Sequence, residues 1–219
     1  MSQNITDIIR NWVRFKKKLS SNFGPGILNN AVCKVQAGNG EMGSGFLCSV
    51  TLLGRAVPLV ITSHESLPTS FIEDVTETMF HFESFHLSLK TEFVSSCWTS
   101  RKRNATVIEL SPQGEKHLKT LKATFLDCGE DFMVDEKINI VKWSGLSIES
   151  NSTIKSQQKD SFDYQLDSNK VDWGGPIISS KNFVIGIQKK AAKGELQQAL
   201  LLSKIILSFL EDRYRPIMY

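Results

Sequence analysis

Apolar and polar positions change rhythm several times along this chain. Ile5, Ile8, Trp12, Phe15 and Leu19 recur at three- and four-residue steps. That spacing predicts an amphipathic helix in residues 1–22, with these five side chains on one stripe. Ser20, Ser21 and the Gly-Pro-Gly at 24–26 end it. From Ala31 to Leu110 the runs become short and rich in β-branched and aromatic residues: "AVCKV", "SGFLCSV", "VPLVIT", "MFHFE", "FHLSL", "EFVSS" and "ATVIEL". Turn residues separate several of them, so they read as strands. Residues 111–121 read as a connector with a helical turn. Strands resume with "ATFLD", "KINIVKW", "STIKS", "FDYQ", "PIIS", "FVIGIQ" and "QALLL". Ile205, Ile206, Phe209 and Leu210 then share one face, which predicts a helix over 203–214 capped by Ser203. Many short strands with few helices point to a sandwich or to barrels.

Composition narrows this picture. The 219 residues are 41% hydrophobic and 22% charged, with a net charge of +3, as in an ordinary globular protein long enough to bury a core. Arg10 and Arg14 interrupt the N-terminal apolar pattern, and no small-residue cleavage site follows. No stretch approaches the ~20 apolar residues of a membrane span. The expected location is therefore cytoplasmic or nuclear, not secreted. Cys33, Cys48, Cys97 and Cys128 lack the close pairing of a metal site and read as free thiols. No cofactor motif and no metal-ligand spacing stands out. The helical stripe needs a cover, either its own domain, a protein partner or second copy, or a membrane surface. Basic runs at 16–18 and 101–103, with Lys189, Lys190 and Lys193 and with Trp12 and Trp98 nearby, support nucleic-acid binding as an alternative. Solvated surface charge explains each run as well.

Four pieces occur in a telling order. "GSGF" lies at 43–46, "VITSHESL" at 60–67, "NATVIEL" at 104–110 and "VDWGGPI" at 171–177. Together they resemble the trypsin-like serine proteases, in particular the intracellular HtrA type. The resemblance covers roughly residues 30–211 and implies a mainly β, chymotrypsin-type double β-barrel with helices at both ends. The implied division is the N-terminal helix in 1–22 and the protease-like domain in 23–219. Within the latter, one barrel spans about 30–115, a second about 116–202, and the C-terminal helix about 203–214.

The resemblance also says which residues stand at the catalytic positions. His64 stands for the histidine, although one residue separates it from Thr62 where familiar members have two. Asn104, 40 residues on, stands for the aspartate, and Trp173, a further 69 on, stands for the serine. Such a triad needs a hydroxyl nucleophile, an imidazole to take its proton and a carboxylate on the other ring nitrogen. Indole has one N–H donor and no nucleophilic lone pair. An amide in place of the carboxylate costs about 10⁴-fold in rate where that exchange has been measured. Val171 stands where the family has the oxyanion-hole glycine, while Asp172, Gly174 and Gly175 preserve the rest of that turn. Chemistry is lost and backbone kept. The resemblance thus implies a pseudoprotease acting as a protein-interaction or scaffolding module, through the degenerate cleft or through Ile5, Ile8, Trp12, Phe15 and Leu19. A cryptic serine-protease-like hydrolase is the other alternative.

Overall fold

A computed structural model describes residues 13–14, 25–36, 42–67, 78–130, 132–143, 147–165, 173–189 and 196–214. Among them the first unit is organised around one long strand, β3 (Met42–Leu52). Its neighbours are β2 (Val32–Gln36) on one side and β4 (Arg55–Thr62) on the other. β2 runs only as far as the Val32–Phe46 pair, so the far half of β3 would present unpaired backbone on that side. Buried backbone groups need partners. Two short segments supply them: β9 (Leu126–Asp127), parallel at Cys48 and Ser49, and β1 (Val13–Arg14), antiparallel at Thr51 and Leu52.

β5 (Met79–His81), β6 (His86–Ser88), β7 (Val94–Ser100) and β8 (Ala105–Leu110) complete a nine-stranded sheet in the order β6-β5-β2-β3-β4-β8-β7, with β1 and β9 on β3. The second unit is a closed barrel in the order β10-β11-β12-β15-β14-β13. Its strands are β10 (Lys137–Lys142), β11 (Ser147–Gln157), β12 (Ser161–Gln165), β13 (Pro176–Ser179), β14 (Val184–Gln188) and β15 (Leu196–Leu201). The mainly β architecture expected from the strand pattern, and the double barrel implied by the family resemblance, are observed.

Three helices are described: α1 (Pro25–Asn29), α2 (Pro112–Thr120) and α3 (Leu202–Tyr214). α2 fills the connector at 111–121, where the pattern suggested a single helical turn. The Ser111 side chain accepts a hydrogen bond from the Gly114 N–H and Pro112 sits in the first turn, so the start is locally encoded. After α2 the chain returns to the first sheet as β9 before β10 opens the second barrel.

The N-terminal reading needs a correction. Val13–Arg14 lies inside the stretch whose spacing suggested a continuous helix, yet it is a strand. The open edge of β3 offers two residues of ladder pairing, and buried Val13 joins the core there, so tertiary pairing overrides the local period. Ile5, Ile8, Trp12, Phe15 and Leu19 lie outside the described residues.

Two apolar clusters fill the units separately, one around Leu47, Phe80, Phe82 and Phe93, the other around Ile140, Phe162 and Tyr164. A third is shared. It runs from Phe46, Leu59 and Val107 of the first sheet through Ile178 and Val184 of the second barrel to Ile205, Ile206, Phe209 and Leu210 of α3. The four apolar positions expected on one helix face are all buried there. Polar bonds hold the other flank of α3 on the first sheet. Trp98 Nε1–H donates to Asp212 at 2.7 Å, and Arg213 pairs with Glu109 and donates to Ser96.

All four cysteines are unbridged. Burial first, and then the neighbouring Cys128, pushes the Cys48 thiol well up inside the shared core. Cys97, half-buried on β7, is pushed up to about 12 by desolvation.

The Phe209 ring is 1% exposed and meets Trp98 edge to face, with ring centroids 6.5 Å apart. Phe209→Ala is expected to lower unfolding free energy by about 3–5 kcal/mol. Urea denaturation followed by tryptophan fluorescence measures this, and a loss below about 1 kcal/mol would contradict the shared core.

Candidate functional site

Residues 63–67, which follow β4, carry His64. Thr62, the last residue of β4, ties this segment to β3 by donating its hydroxyl to the Ser44 carbonyl at 2.8 Å. Ser63 and Ser66 then bond each other side chain to side chain at 2.6 Å, and the Ser66 N–H donates to the Ser63 hydroxyl, which closes a tight turn.

The turn at 173–175 meets this segment from the second barrel. Ser44 N–H donates to the Trp173 carbonyl at 2.9 Å. Gly174 N–H donates to the Gln188 carbonyl at 2.9 Å, and Gln188 N–H returns to the Gly175 carbonyl at 3.0 Å. Gly174 has φ +87°, a conformation that favours glycine. Space excludes a side chain as well, since a Cβ would lie 2.3 Å from the Ser44 carbonyl oxygen and 3.0 Å from the Ser63 nitrogen.

Trp173 is half-buried, and its indole lies beside the bare Cα of Gly43, whose Cβ position would be 3.3 Å from indole Cδ1 and 1.8 Å from Ser66 Oγ. The indole and the Ser66 hydroxyl of the His64 segment thus both lie against this one bare Cα. Val171 and Asp172 lie outside the described residues.

His64 Nδ1 is bonded to Thr99 Oγ1 of β7 at 2.9 Å. Thr99 in turn bonds Thr106 Oγ1 of β8 at 3.0 Å, and Thr106 donates to the Leu67 carbonyl at 2.7 Å. Asn104 sits in the turn between β7 and β8 with φ +39°, and its N–H donates to the Arg101 carbonyl. Asparagine is among the few residues that tolerate this left-handed backbone. Its side-chain Nδ2 is buried without a hydrogen-bond partner. The ring nitrogen that an aspartate would orient is thus held by a threonine from the neighbouring strand.

The sequence did carry a signal for that threonine. In "TSRKRNAT", residues 99–106, the two threonines are equidistant from the centre of the turn, and the hairpin pairs them directly. Arg103 of the basic run is committed to Asp160 at 2.8 Å, which joins the β7–β8 turn to the turn before β12. Among the described residues no group of three or more potential ligands is placed to hold a metal, and no helix is long and apolar enough to cross a membrane.

The fold has known counterparts. The Mycobacterium tuberculosis protease Rv3671c, in a serine-to-alanine inactive form, superimposes with a TM-score of 0.61 at 13% identity over 91% of this chain and 96% of its own. A second inactive form of the same protease gives 0.55 at 14%, covering 86% and 95%. This chain has the trypsin-like double-barrel fold. A structure described as showing the coupled folding and binding of the intrinsically disordered Sesbania mosaic virus VPg protein gives 0.58 at 12%, covering 89% and 94%. No protein-family profile and no curated protein sequence matches the chain.

Two outcomes follow from the geometry. Gly174→Ala should destabilise the protein by at least about 1–2 kcal/mol from the left-handed backbone alone, with the contacts on Ser44 and Ser63 adding to it. A thermal melt indistinguishable from the parent would contradict the described turn. Burial first, and then the Arg101 cation, hold His64 below the ordinary histidine value of 6.5, against the opposing pull of Glu65. His64 should therefore titrate below 6.5 by NMR, and Arg101→Gln should raise its midpoint. An unchanged or lowered midpoint in that variant would show that Arg101 does not act on the ring.

Proposed function

We propose that this chain is a non-catalytic member of the trypsin-like fold that serves as a protein-interaction module. The observation that supports the reading is Trp173 at the head of the Gly174–Gly175 turn, the turn that the sequence resemblance matches to the family's nucleophile. The backbone of that turn is kept by its bonds to Ser44 and Gln188, while its side chain cannot attack a carbonyl. The indole beside Gly43 occupies space next to the His64 segment that a small hydroxyl would leave open. The histidine's orienting partner is a neutral hydroxyl, which does not stabilise an imidazolium as a carboxylate does. Binding an extended peptide against a sheet edge uses backbone and pockets and needs no nucleophile.

Labelling with a fluorophosphonate probe tests the catalytic half. The unmodified protein should not label, and Trp173→Ser should give no robust turnover, because a threonine hydroxyl and not a carboxylate is bonded to His64 Nδ1. Labelling of the unmodified protein would refute the reading. Selection of a displayed random-peptide library on the intact chain tests the interaction half. Enrichment of a common motif supports it, and no enrichment counts against it.

A further inference from the structure

We propose that Thr99 and Thr106 are positioning residues that hold His64 as a neutral acceptor, and that the site therefore presents its Nε2 lone pair to a hydrogen-bond donor of the amide N–H class. The proposal rests on the non-catalytic reading above and adds to it what the site selects.

Proton direction in the hydrogen-bonded chain follows from its last member. A carbonyl oxygen can only accept, so the Thr106 hydroxyl proton is committed to Leu67 across 2.7 Å. Thr106 Oγ1 then meets Thr99 Oγ1, 3.0 Å away, as an acceptor, and the Thr99 proton is committed to it. Thr99 Oγ1 in turn meets His64 Nδ1, 2.9 Å away, with lone pairs only. Nδ1 must carry the proton. In a neutral imidazole one nitrogen donates and the other accepts, so Nε2 is bare.

The opposite tautomer would set a ring lone pair against a hydroxyl lone pair, or would strip the Leu67 carbonyl of its donor. Thr106 is fully buried, so an alternative donor from water is excluded there.

A relay of hydroxyls ending on a carbonyl differs from a carboxylate in one respect. It orients the ring without supplying a negative charge, so it fixes the tautomer while leaving protonation unassisted. Burial and Arg101 act in the same sense. His64 is partly exposed, and no described residue bonds Nε2. A ligand meeting that nitrogen meets a lone pair. Peptide N–H groups satisfy it, whereas ionised carboxylates, which bring lone pairs only, do not.

Long-range proton–nitrogen NMR of the histidine rings in the intact chain reads this directly. At neutral pH the His64 ring should show a protonated, pyrrole-type Nδ1 and a bare, pyridine-type Nε2. Thr99→Val should collapse that pattern towards a tautomer mixture, and Thr99→Ser should restore it. A wild-type ring already mixed, or protonated on Nε2, overturns the relay, and so does a Thr99→Val spectrum identical to wild type. The wild-type measurement needs no variant, so a misfolded variant leaves the test intact. N-methylacetamide added to the protein should shift the His64 Nε2 resonance, while acetate at the same pH should not. Equal responses, or none, overturn the recognition half. Fluorophosphonate labelling judges the non-catalytic reading separately, because it reports on nucleophilic attack and not on the tautomer.

Discussion

The structure depends on one close approach, the bare Cα of Gly174 against the Ser44 carbonyl and the Ser63 nitrogen. Ser44 lies on the central strand of the first sheet, Ser63 begins the segment that carries His64, and Gly174 precedes the second barrel's β13. With no side chain between them, the Trp173 carbonyl reaches Ser44 and the indole settles beside Gly43. This contact sets how near the two units stand where the histidine is presented.

The site illustrates how orientation and charge separate. A buried carboxylate does both jobs for a histidine: it accepts from one nitrogen and favours protonation of the other. Here a threonine pair takes over the first job alone. Arg101 adds positive potential to a ring already disfavoured from ionising by burial. Asn104 contributes its backbone, which accepts the left-handed turn, more than its amide, whose nitrogen goes unbonded.

Much of the fold was legible because it is written locally. The alternation in "ATVIEL", the apolar face of 205–210 and the "GGPI" turn each specify their element without knowledge of the rest. The parts that were not legible depend on partners distant in sequence. Val13 and Arg14 form a strand only because β2 leaves the edge of β3 uncovered, and nothing within 5–19 records that vacancy. β9 lies within the strand that "ATFLD" predicts, but its pairing with β3 of the first sheet depends on that same open edge. Thr99 escaped attention because its role is cross-strand. Spacing from known motifs picks out residues 64, 104 and 173, whereas the hydroxyl on the ring comes from the opposite side of a hairpin. Reading that hairpin symmetrically about its turn would have found it.

The α3 helix bears on how this protein is made. The core under the first sheet contains Phe46, Leu59 and Val107, yet it is completed by Ile205, Ile206, Phe209 and Leu210, more than a hundred residues later for the earliest of these strands. A chain emerging from the ribosome presents its N-terminal strands long before the helix that covers them. Domains usually fold as units in the order of synthesis, but here the first unit cannot bury its own surface on that schedule. The sequence separation of these contacts makes folding slow. During that interval the apolar face made by Phe46, Leu59 and Val107 stays open to water, and it closes only when the last helix arrives.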